Sequence, residues 1–180
     1  MVSLDSIRVV AHGIMRYQGI IQNMTYVNMP NKPQVSSADA CLAAGIDIAT
    51  LKNWVSRGVI LLDKNERTPG DRPTFVLQLA TVYQIAIVSE LVKLGISPSH
   101  AREWAWTFTE AGGKGRPPGT LFKDGLTYMG GNAELERPQI VNVTEETRAY
   151  ELLALTDTGG TVILLNLGGL IQRVKRALGV

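Results

Sequence analysis

The chain has 180 residues, 45% of them hydrophobic, which suits one ordinary domain or a smaller one with an appendage and argues against wholesale disorder. No apolar run is long enough to span a bilayer, and the single Cys41 excludes an internal disulfide framework or a multi-cysteine zinc site. The formal net charge of +2 does not by itself point to a polyanionic partner.

Residues 1–34 read as a poorly ordered N-terminal extension. Leu4, Ile7, Ala11 and Ile14 keep a faint helical rhythm that Gly13 and Gly19 weaken, and residues 28–33 have linker composition. A start codon placed too far upstream is the other reading of this segment, with Met24 and Met29 as the alternative starts it would imply. Asp5, Arg8, His12 and Arg16 interrupt every apolar stretch, so no secretory signal is expected and the setting is read as soluble and intracellular.

From residue 35 to 110 the pattern sharpens. Ser36 or Ser37 caps a short helix through Ala44, with Cys41 and Leu42 inward and Gly45 as its left-handed stop. Asp47 caps a second helix to about Ser56, in which Ile48, Leu51 and Val55 mark the buried face and Gly58 the end. Two short helices joined by a tight glycine turn are the helix-turn-helix signature. A strand over 59–62, a polar turn over 63–71 and a return over 72–75 predict a hairpin, with Pro73 confining the return to an edge.

A helix over 76–94 follows. Leu77, Leu79, Val82, Tyr83, Ile85, Ile87, Val88, Leu91 and Val92 cover most of its surface, so it must be buried on more than one side. A second subunit or the C-terminal region can supply the cover. Ser97-Pro98 opens another helix, with Ala101, Trp104, Ala105 and Phe108 inward and Trp106 pointing elsewhere.

Residues 111–120 are a Gly/Pro linker by composition, and residues 121–180 a small α+β unit for dimerisation or regulation. Strands are expected over 126–129, 140–143 and 161–165, and a turn over 157–160. Thr144 to Thr147 looks like a helix start leading into 149–155, with an extended strand as its rival. Asn166 caps a final amphipathic helix with Leu167, Leu170, Ile171, Val174 and Leu178 inward and Arg173, Lys175 and Arg176 outward. The predicted class is α+β, mainly helical.

No active site is legible. His12 and His100 are isolated, and Cys41 lies on an inward face. Residues 112–115 (GGKG) lack the preceding strand and following Ser or Thr of a phosphate loop. Glu145 and Glu146 suit a helix N-terminus. No enzyme activity, cofactor or metal is expected.

The positive charge is gathered rather than abundant. Residues 35–110 hold seven Lys/Arg against eight Asp/Glu, whereas residues 52–72 hold five (Lys52, Arg57, Lys64, Arg67, Arg72) against three. With Ile48, Leu51 and Val55 inward, Ala49, Thr50, Asn53 and Arg57 project outward and Lys52 stands at the margin. Asn53 can pair with adenine, Ala49 can meet a thymine methyl and Thr50 a base or phosphate; the cations suit phosphates, and Trp54 suits packing.

The run from Ser37 to Phe108 resembles the DNA-binding domain of MerR-type regulators. The carriers are Gly45-Ile46, then Leu51-Lys52-Asn53-Trp54 and Arg57-Gly58-Val59-Ile60, then Gly70, Arg72 and Phe75, then Leu91 to Ser97 with Leu94-Gly95-Ile96 at its centre. Lys52 and Asn53 depart from the family's Arg and aromatic, and the metal-sensing cysteines and long coiled-coil helix are missing. The resemblance implies a winged helix-turn-helix with residues 47–57 as recognition helix in the major groove and 61–75 as wing. It implies a sequence-specific transcriptional regulator on double-stranded DNA, homodimeric, in the bacterial cytoplasm or nucleoid, with effector unknown. The alternatives are a phage or mobile-element factor of the excision or terminase small-subunit type, or a protein-interaction module of the same fold.

Overall fold

The computed structural model describes residues 34–67, 75–112, 115–132, 137–148, 152 and 162–180. They fall in one compact unit, Pro33–Val180. The fold is α+β, and the described residues form five helical elements and two small antiparallel sheets as follows. The first half comprises β1 (Gln34–Ser36), α1 (Ser37–Ala44), α2 (Ile48–Ser56), a 3-10 turn (Lys64–Glu66), β2 (Val76–Gln78), α3 (Leu79–Lys93) and α4 (Pro98–Thr109). The second comprises β3 (Leu126–Gly131), β4 (Gln139–Val143), β5 (Ile163–Asn166) and α5 (Leu167–Leu178).

Local chemistry sets the helix ends. Ser36 Oγ accepts from Asp39 N, Ser97 Oγ from His100 N and Asn166 Oδ1 from Gly169 N, each satisfying an orphan donor of the first turn. Gly45, at φ 66°, closes α1 in the left-handed region that suits glycine.

The short strands were not all where periodicity put them. Residues 59–62 form no strand; Val59 and Ile60 donate to Trp54 O and are buried behind α2. The pairing partner of β2 is β1, with Val35 opposite Leu77, so the sheet joins the start of the domain to the segment before α3. That strand also moves the start of α3 from residue 76 to Leu79. Arg67 and Phe75 make a single antiparallel bridge, and the rest of the expected return, 72–74, lies outside the described residues.

Helix α3 is the hub. Val82, Tyr83, Ile85, Ala86, Ile87, Val88 and Leu91 are all buried, covered by α4, α1 and α5. The C-terminal region therefore supplies the cover within the chain. Helix α5 lays Leu167, Leu170, Ile171 and Val174 on α1 and α3 and adds them to one continuous core. At about 1.5–3 kcal/mol per buried aliphatic side chain, this stripe is a major stabilising contribution. Glu90 of α3 accepts hydrogen bonds from Lys93 (3.0 Å) and from Arg173 of α5 (2.7 Å), tying the two helices at the rim.

Strand β3 is central in the second sheet, between β4 and β5, and its own Met129 is fully buried. The expected strands over 126–129, 140–143 and 161–165 correspond to β3, β4 and β5 with shifted ends. Thr144 to Thr147 form a hydrogen-bonded turn, in which Thr147 N donates to Thr144 O and Thr144 N donates to Thr147 Oγ1. Of the expected helix over 149–155, Leu152 is helical, and 149–151, 153–155 and the turn over 157–160 lie outside the described residues.

The Gly/Pro stretch after α4 is built around Arg116, which is 5% exposed. Its Nη1 donates to the carbonyls of Phe108, Pro117 and Thr120, its Nη2 to that of Ala111, and its Cζ stands 5.0 Å from the Phe108 ring centroid. Carbonyls left over at a helix C-terminus attract a cation, and a guanidinium fork reaches several of them at once. Burial lowers the pKa of Arg116 from its ordinary value. Residues 115–120 thus form a closed turn where composition alone suggests a plain linker.

Candidate nucleic-acid interface

Helix α2 starts at Asp47, whose Oδ1 accepts from Thr50 N at 2.6 Å. That backbone hydrogen bond holds the Asp47 carboxyl below its ordinary pKa, so the cap is charged near neutral pH. The same carboxylate, after burial, raises the Cys41 thiol, leaving Cys41 a neutral core residue.

The buried side of α2 is Leu51 and Trp54, with Val55 partly covered. Trp54 packs into the core, whereas Ile48, expected inward, is 37% exposed, and so is Leu42 of α1 at 76%. The large indole replaces Ile48 in fixing the helix rotation: Leu51 and Trp54, three positions apart, meet the core together. Residue Arg102 of α4 fixes the far end of α2, its Nη1 donating to Gly58 O at 3.0 Å.

With that rotation Ala49, Asn53 and Arg57 form an exposed stripe at i, i+4 and i+8, and Lys52 and Ser56 lie exposed beside it. Thr50 is half-buried at the margin. Of the expected contact residues, the helix therefore brings Ala49, Lys52, Asn53 and Arg57 to one solvent-facing surface. Lys64 and Arg67 are exposed on the separate 3-10 turn and its end. Arg72 lies outside the described residues.

The turn carrying Lys64 and Arg67 is held by a residue that sequence reading passed over. Glu66 is 1% exposed. Its Oε1 accepts from Gln78 N (2.7 Å) and Thr81 Oγ1 (2.6 Å), and its Oε2 accepts from Asp63 N (2.9 Å). Gln78 is the N-cap of α3 with no side-chain cap of its own, so Glu66 supplies an anion at that helix N-terminus. The Asp63-to-Glu66 spacing, an Asp three residues before a Glu, is the capping-box signal that could have drawn attention to it.

Among the described residues no cluster of His, Cys, Asp and Glu could hold a metal ion, and no helix is long and apolar enough to cross a membrane. The chain matches no protein-family model and no curated protein.

Proposed function

We propose that the first half of the domain is a winged helix-turn-helix that binds double-stranded DNA sequence-specifically, as a transcriptional regulator resembling the MerR type. The carrying observation is the face of α2, where Ala49, Asn53 and Arg57 run in one exposed stripe beside Lys52 while Leu51 and Trp54 anchor the opposite side. A rigid helix with small, amide and cationic side chains outward suits the major groove, with Asn53 reading adenine and Lys52 and Arg57 on phosphates. The exposed Lys64 and Arg67, on a turn pinned by Glu66, take the role of the wing on the flanking backbone.

Two copies on two half-sites belong to the same reading. Because α3 is covered within its own chain, the pairing surface lies elsewhere.

Genome-wide recovery of DNA bound by the full chain tests this reading. Promoter-proximal sites sharing a motif are expected, and Asn53→Ala should relax preference at one base pair of it while Lys64→Ala weakens all duplexes alike. Sites at attachment or packaging sequences would move the protein to a mobile-element role, and no enriched DNA would overturn the reading.

A further inference from the structure

Two large hydrophobic side chains that stay exposed, Leu61 (63%) and Trp106 (41%), line the same cavity of about 240 Å³. Val59 adds to its apolar wall, and Arg102, Glu103 and Arg137 supply its charges. Arg102 and Glu103 neutralise each other, with Nε and Nη2 of the arginine 3.0 and 2.9 Å from Oε1 of the glutamate. Arg137 stands with its Cζ 5.9 Å from the Trp106 ring centroid and forms no salt bridge among the described residues. Among the described lining residues Arg137 is therefore the one charge without an opposite partner, and it lies on an aromatic face.

We propose that this cavity binds a small planar organic carboxylate, the carboxylate on Arg137 and the ring against Trp106 and Leu61. A cavity of about 150 Å³ holds benzene, so this one has room for a ring bearing an acid group. An inorganic anion would satisfy Arg137 but leave Trp106 and Leu61 in water. A cation would meet the Arg137 guanidinium, and a neutral ring would leave that guanidinium unpaired. Guanidinium groups recognise carboxylates through two parallel hydrogen bonds, and stacking on Trp106 pre-orients the Arg137 fork for them.

The position also offers regulation. Val59 and Leu61 follow α2 directly and Arg102 holds Gly58 O, so an occupant bridges α4 to the end of α2. Occupancy then changes duplex affinity; this second step rests on the proposed DNA-binding role, whereas carboxylate binding does not.

The test titrates the full chain with sodium benzoate and follows the indole N–H resonances, with Trp106→Phe identifying the reporter. A ligand of this size is expected to bind in about the millimolar range. Benzamide and inorganic phosphate should bind at least about ten-fold more weakly, and Arg137→Gln, with its spectrum otherwise intact, should lose benzoate to the same degree. Equal binding of either comparator, undiminished binding to Arg137→Gln, or no saturable shift at the Trp106 indole would overturn the site. A parallel duplex titration separates the two claims. If benzoate binds at Trp106 and no duplex binds, the DNA reading fails and the carboxylate site stands. If both bind without affecting each other, the coupling is overturned.

Discussion

Replacing Glu66 by Ala removes one buried carboxylate and strands three donors at once. Its partners differ in what water can do for them: Asp63 is exposed and its N–H can be rehydrated, Gln78 is half-buried, and the Thr81 side chain is buried. Each unsatisfied buried donor costs about 1–3 kcal/mol, so the Gln78 amide and Thr81 hydroxyl together imply a loss of about 4 kcal/mol. Glu66→Gln keeps an oxygen for both of those donors and turns an amide NH2 toward Asp63 N, one broken bond costing about 1–2 kcal/mol. Urea denaturation reads the difference. With a slope of about 2 kcal/mol per molar, the alanine variant should unfold at a midpoint about 2 M lower and the glutamine variant less than 1 M lower. An alanine variant within about 1 kcal/mol of the parent, or a glutamine variant equally damaged, would refute the view that this carboxylate holds the turn to α3.

Arg116→Ala should destabilise by about 2–4 kcal/mol in the same assay, because four carbonyls lose a buried cationic partner. Arg116→Lys should recover little of this, since an ammonium cannot reproduce the planar fork; full recovery would contradict the geometry. For Glu90, burial raises the pKa, but the hydrogen bonds from Arg173 and Lys93 outweigh it and hold the folded value below the ordinary 4.5. A depressed carboxyl contributes stability above its unfolded pKa and loses it as pH falls through the folded value. The stability gap between the parent chain and Glu90→Gln should therefore be present near neutral pH and close below 4.5. A gap independent of pH would assign the effect to packing.

What was legible in the sequence is what short-range chemistry decides. The caps at Asp47, Ser97 and Asn166 and the stop at Gly45 depend on residues within one turn. The all-round apolar surface of residues 79–93 correctly demanded burial on several sides. What was not legible depends on partners far along the chain. A three-residue strand such as Gln34–Ser36 has no periodicity to read, and its partner is Val76–Gln78. Glu66 and Arg116 sit among polar, glycine- and proline-rich residues, and only their distant partners reveal that they are buried. At the candidate interface the outward face of α2 was readable: of the inward residues expected, Leu51 is buried and Val55 partly covered, Trp54 packs as expected, and Ile48 alone turns outward.

DNA binding through α2 and the Glu66-held turn is tested most directly by the salt dependence of affinity for a recovered duplex. Lys52, Arg57, Lys64 and Arg67 offer about four phosphate contacts, which predicts a slope of log affinity against log salt of about −3 to −4. Replacing Lys64 and Arg67 together by Ala should bring the slope to about −2 without changing the preferred sequence. A slope near zero, or no affinity for any duplex, would contradict the proposed function.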